Sequence, residues 1–428
     1  MKVLKLCLLL ILAAVLMVNL SGCAQQPVSS DVLQSDKPRE TAPSVAQTDM
    51  TTLSKGNSEF TFDLYQELAA EDGNLFYSPY SISMALAMTY AGARGETEQQ
   101  MADAMRFLLP QQKLHTAFNA MDIQLNQRGE GAEGKDGEEF RMNVVNAIWG
   151  QKDYKFLPGF LDILAENYGA GLRLLDFVSQ PEESRITIND WVSVQTEERI
   201  NDLIPQGSID SLTRLVLTNA IYFNAAWQYP FEENATSDGS FHLLDGSDVT
   251  VSMMKQTKGF GYAEGDGYQA IELLYDGREL SMMIILPEVG RFEEFESSVD
   301  DVLVNEIIAS LQREQIALTM PKFEFDSSFG LVKTLAEMGM PIAFTTGADF
   351  SGMTGNHDLY IGDVIHKAFV SVDESGTEAA AATAVVMEMT AMPQPPLEVS
   401  IDRPFFFLIR DIETGTALFV GRVLDPTK

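Results

Sequence analysis

Cysteine is almost missing from this chain: among 428 residues only Cys7 and Cys23 occur, both near the start. Beyond them there can be no disulfide, no cysteine nucleophile and no thiolate metal site. Histidine is scarce too. His115, His242, His357 and His366 are scattered, and no pair has metal-ligand spacing. Basic charge is in deficit, with 29 Lys and Arg against 62 Asp and Glu, a net charge of −33. Such a surface repels nucleic acid and anionic headgroups, so neither is expected as a partner. No Walker motif and no Gly-x-Ser-x-Gly elbow is present. Gly129 to Gly134 matches G-x-G-x-x-G, but it follows no strand, opens no helix and carries Glu130 and Glu133 where a pyrophosphate would sit. No cofactor is expected, and no constellation points to an enzyme.

What is present begins with a targeting segment. Lys2 and Lys5 precede an apolar run from Leu6 to Leu20, which ends in Leu20-Ser21-Gly22-Cys23. The run is that of a secretory signal, and its ending resembles the bacterial lipobox, in which the cysteine is lipidated. Residues 1–22 are then a lipoprotein signal and Cys23 the lipid anchor; an ordinary signal peptide cleaved nearby is the competing reading. The expected location is the cell envelope, at the outer membrane or cell surface, with membrane contact through the lipid only. Residues 23–56 are rich in Gln, Ser, Thr and Pro and read as a flexible tether reaching roughly 30 Å. Residues 57–428 read as one large domain.

Within it, helical spacing of apolar residues marks Phe60 to Leu68, Ser81 to Tyr90, Phe160 to Tyr168 and Phe329 to Met338. Strand-like runs cover Val144 to Trp149, Leu215 to Phe223, Leu280 to Leu286, Ile316 to Met320 and Phe405 to Ile409. Mixing without βαβ alternation indicates an α+β fold. The acidic segment Gly129 to Glu139 reads as an exposed loop.

One segment fits no single element. From Asp373 the chain reads DESGTEAAAATAVVMEMTAMPQPP. Four alanines favour helix, then Thr383, Val385 and Val386 favour strand, and three prolines stop either. An Ala-rich surface helix is the plain reading. Alternation offers another. In a strand, Thr377, Ala379, Ala381, Thr383, Val385 and Met387 share one face, and Glu378, Ala380, Ala382, Ala384, Val386 and Glu388 the other. One face could therefore be buried without burying a charge.

Five stretches, in order, resemble the serpin family: NLFYSPYSISMALAMTYAGARGET (74–97), TNAIYFNAAWQYPF (218–231), MPKFEFDSSFGLVKTLAEMGMPIAF (320–344), HKAFVSVDESGTEAAAATA (366–384) and RPFFFLIRDIETGTALFVGRVLDP (403–426). The resemblance implies three β-sheets, eight or nine helices and an exposed reactive loop at about 374–396. It also implies a mechanism: a protease cleaves the loop, stays attached as an acyl-enzyme, and is carried along as the loop becomes a strand of the large sheet. The hinge of that motion would be Glu374, Gly376, Thr377, Glu378, Ala379, Ala380, Ala381, Ala382 and Thr383. By family spacing the reactive bond joins Thr390 to Ala391, with Met389 or Met392 as alternatives. Ser78, Ser81, Asn219 and His366 match the family's shutter cluster under the sheet. Trp227 and Lys322, with Glu374, match the breach where the loop first inserts. Two departures stand out: Asn224-Ala225 where the family often has Lys-Gly, and Ser375 where it often has Glu.

No Lys or Arg lies between Val372 and Asp402. Trypsin-like proteases are therefore not expected as targets, and elastase-like or subtilisin-like ones are; a papain-like protease also fits. The implied function is protein-protease inhibition by a monomer trapped covalently with its target. The alternative is a non-inhibitory surface binding protein whose loop is merely cleaved.

Overall fold

The computed structural model describes residues 30–134, 136–377 and 395–428. Its helices are α1 (Gln47–Leu68), α2 (Pro79–Tyr90), α3 (Gly95–Ala104), α4 (Gln111–Asn126), α5 (Pro158–Tyr168), α6 (Pro181–Gln195), α7 (Phe292–Glu296), α8 (Asp301–Ser310), α9 (Val332–Glu337) and α10 (Ser351–Thr354).

Two hydrogen-bonded sheets account for the strands. The first contains β1 (Asp31–Leu33), β3 (Arg141–Gln151), β4 (Leu172–Leu175), β5 (Leu215–Ala226), β11 (Phe323–Gly330), β12 (Asp363–Val372) and β13 (Gly376–Thr377), in the order β1-β4-β3-β5-β13-β12-β11. The second contains β2 (Leu75–Tyr77), β6 (Ser237–His242), β7 (Asp248–Gly265), β8 (Tyr268–Leu274), β9 (Leu280–Pro287), β10 (Gln312–Pro321), β14 (Leu397–Ser400), β15 (Phe405–Asp411) and β16 (Ala417–Val423). The mixture of helices and mostly antiparallel sheets is the α+β arrangement expected. The third sheet of the family count is merged here, because the 18-residue β7 pairs with β6 at one end and β8 at the other.

The first sheet is covered on both faces, which explains the unbroken apolar reading of β5. Leu215, Leu217, Ile221 and Phe223 point into the main core shared with the second sheet. Val216 and Ala220 point the other way, into a smaller core roofed by Ile188 and Val192 of α6. A period of two thus sorts one strand between two cores. In the main core FFFLI forms β15, where Phe406 stacks on Phe292 at 4.8 Å and Phe407 on Phe76 at 5.6 Å.

Two expectations need correcting. Phe329 does not open a helix. It lies near the end of β11, opposite His366, and its ring stacks on the imidazole; the helix begins at Val332. The tether is also shorter than composition indicated. Among the described residues, β1 pairs antiparallel with β4, and α1 already starts at Gln47, with Leu53 buried. This segment is held by backbone pairing and charged side chains, which a count of apolar residues does not register. Arg39 donates to Asn119 at 2.8 Å and to Asp122 at 2.5 Å. Lys37 bridges Asp162 and Glu166.

Candidate functional site: the seam between β5 and β12

The middle of the first sheet is a seam with two halves. In its lower half β5 and β12 pair directly and in parallel, Asp363 to Ala368 against Val216 to Ile221. In its upper half they separate and admit β13, which is antiparallel to both: Thr377 pairs with Val372 and Ala225, and Gly376 with Ala226.

Register brings the four residues matched to the shutter together. Asn219 lies opposite Asn146 of β3 on one side and His366 of β12 on the other. All face the N-terminus of α2, where the Ser78 hydroxyl caps the helix by accepting from the Ser81 amide at 3.2 Å. The Ser78 amide donates to His366 Nε2 at 3.1 Å. That nitrogen is therefore the acceptor, and Nδ1 carries the proton toward Asn219 Oδ1. Asn219 Nδ2 donates to Ser81 Oγ at 2.5 Å and also to Asn146. Burial holds the imidazole neutral, with its pKa lowered to about 3. The four expected shutter residues are thus together and fully buried. Asn146 is a fifth that sequence reasoning passed over. Its signal was an amide inside the otherwise apolar run Val144 to Trp149.

The residues matched to the breach gather around Trp227, beside Gly376 and Thr377. The indole stacks on Tyr275 at 4.7 Å, with planes 11° apart, and its Nε1 donates to the Asp373 carbonyl at 3.0 Å. Backbone bonds fix the approach to the hinge: Trp227 to Ser375 at 2.9 Å and Phe231 to Glu374 at 2.7 Å. Glu374 accepts from Lys322 at 2.7 Å and from Thr236 at 2.6 Å. Burial alone would raise its carboxyl, but these two bonds outweigh it and hold the pKa below the ordinary value. Thr377 turns inward and shares a 3.0 Å hydrogen bond with the buried Tyr275 hydroxyl. Glycine is required at 376 by close approach: a Cβ there would lie 2.2 Å from the Ala225 carbonyl oxygen.

Both departures are accommodated. Asn224 is buried and donates to the Tyr222 hydroxyl at 3.1 Å, leaving the Trp227 stack in place. Ser375 contributes its backbone. Tyr275 and Thr236 had no sequence signal, since only folding brings them to the hinge. Glu378 to Thr383, the reactive-bond candidates Met389, Thr390, Ala391 and Met392, and Cys23 lie outside the described residues.

The family model described as serpin (serine protease inhibitor) matches residues 55–426. An uncharacterized serpin-like protein of Thermococcus kodakarensis is 39% identical, over 97% of this chain and 98% of its own. The leukocyte elastase inhibitor of Bos taurus is 39% identical, over 88% of this chain and 100% of its own. Among solved structures, human thyroxine-binding globulin in complex with thyroxine has a TM-score of 0.80 at 29% identity, covering 89% of this chain and 100% of that one. Uncleaved ovalbumin has a TM-score of 0.78 at 26% identity, with 88% and 100% coverage.

Proposed function

The chain belongs to the serpin family, and on that footing we propose that it inhibits serine proteases by trapping, with its loop entering the first sheet between β5 and β12. One observation carries this reading: Gly376 and Thr377 are already seated at the top of the seam, antiparallel to both neighbours. A strand continued in that register would turn Ala379, Ala381, Thr383, Val385 and Met387 toward the main core, on the side of Thr377. Glu378 and Glu388 would fall on the opposite face. Fifteen such residues span roughly 50 Å, enough to carry an attached protease along the body.

The target class follows from the loop chemistry. With Thr390-Ala391 as the bond and no Lys or Arg from 373 to 401, elastase-like and subtilisin-like proteases suit it. The likeness to a leukocyte elastase inhibitor supports the same class. The inhibitor would act as a monomer, one molecule consumed per protease, held to the envelope by lipid on Cys23.

The test mixes soluble protein, residues 24–428, with an elastase and subtilisin panel. A denaturant-resistant band at the summed mass, with a released peptide beginning at Ala391, is the expected result. The likeness to thyroxine-binding globulin, a structure solved with its ligand, gives the rival reading of a binding protein. That reading wins if the loop is cut without a complex and the cleaved protein gains no heat stability.

A further inference from the structure

The segment before α1 is seated on the sheet that has to open. β1 adds a strand beyond β4, with Val32 opposite Arg173. The Ser30 hydroxyl accepts from Arg173 at 3.1 Å. That guanidinium in turn lies 4.3 Å from the ring centre of Trp191, on the helix α6 that roofs the sheet. From β1 the chain crosses α5, where Ser35 donates to Asp162 at 2.6 Å. It ends on α4, where Arg39 reaches Asn119 and Asp122. Asn119 is buried and returns a bond to the Glu40 carbonyl at 2.7 Å.

These attachments belong to two different bodies if the seam opens. A strand added between β5 and β12 moves β5, β3, β4 and β1, with α6 on their face, away from β12 and β11. Helix α4 lies outside the sheet, packed on α1 and α2 through the side bearing Leu114, Phe118, Met121 and Leu125, and so is not carried by the strands that slide. The segment therefore spans the moving half and the fixed half, and sliding one over the other stretches or detaches it.

We propose that residues 30–40 are a strap that restrains the first sheet and sets the rate at which a strand enters the seam. The proposal rests on the insertion reading above. Such a strap slows spontaneous insertion of the uncleaved loop and keeps the inhibitor in its active form. It bears on β4, α4 and α5 and supplies none of the loop sequence that a protease reads, so it leaves recognition by the protease alone.

The experiment uses soluble protein (24–428) and a synthetic peptide of sequence 376–389, whose uptake is followed by native gel and by Trp227 emission. Arg39→Ala should take up the peptide several-fold faster than wild type, with an unchanged rate of loop cleavage. A Ser35→Cys/Asp162→Cys pair, the only thiols in that protein, should slow uptake when oxidised and restore it when reduced. Equal uptake rates in wild type, Arg39→Ala and both redox states of the pair would overturn the strap while leaving insertion intact. A wild type that takes up no peptide, and gains no heat stability on loop cleavage, would overturn both readings.

Discussion

The two halves of the β5–β12 seam are closed by different chemistry. The lower half is shut by direct strand pairing over a neutral network centred on the buried Asn219. The upper half is held apart by two residues, fixed by one partly exposed ion pair, an aromatic stack, side-chain hydrogen bonds from Tyr275, Thr236 and Trp227, and backbone bonds. A buried amide with three side-chain partners is costly to disturb, because each group left unpaired loses its full hydrogen bond. An ion pair whose lysine is 40% exposed contributes far less. The seam is therefore weaker beside β13 and stronger farther down. Under the insertion proposed above, that asymmetry lets the seam start to open easily and yet stay shut until a strand is available.

Three measurements break or sharpen this contrast. Asn219→Ala should have the largest effect. It strips partners from Ser81, Asn146 and His366 together, at about 1–3 kcal/mol for each buried group left unsatisfied. Denaturant unfolding should show a loss of about 3 kcal/mol or more, and a loss under about 1 kcal/mol would mean the lower half is held by strand pairing alone.

Next is pH. His366 is held at about 3 and His115, also lowered chiefly by burial, at about 4, against 6.5 for a free imidazole. Above about 6.5 neither costs stability. As pH falls, the unfolded chain takes up protons first, and stability drains by about 1.4 kcal/mol per unit per histidine until each folded value is reached. At pH 5 the share of His366 is about 2 kcal/mol. Melting curves from pH 7.5 to 4.5 should be less steep in pH for His366→Phe than for wild type, and equal slopes would show that the imidazole is not kept neutral.

The smallest stability change is expected from Gly376→Val, about 1–2 kcal/mol from overpacking against Ala225. Its functional reading should be sharper. With β13 expelled, elastase should cut the loop as a substrate without forming the resistant complex. Full complex formation by this variant would show that the seated hinge is not what primes insertion.

Much of the site was legible in the residues. The Ser78, Ser81, Asn219 and His366 cluster and the Trp227–Lys322–Glu374 group, which the structure brings together, lie in stretches whose order and wording are specific to the family. Asn146 was missed because an amide in a strand has meaning only once register sets it beside Asn219. Phe329 was misread because its apolar spacing with the following residues fits a helix, while pairing with His366 places it in a strand. Residues 30–46 were misread for the reason that makes them interesting. Their attachment runs through β-pairing with β4 and charges on α4 and α5, all distant in sequence.

By itself the sequence determined the α+β family fold, an acidic body without disulfides, and a run of small residues after Gly376 free of bulk and positive charge. These follow from composition and local pattern, which act over a few residues. Tertiary structure alone decided where the seam is strong and where it is weak. That depends on which polar atoms meet across strands, and Asn219, Asn146, His366 and Ser81 meet only when β3, β5, β12 and α2 have come together.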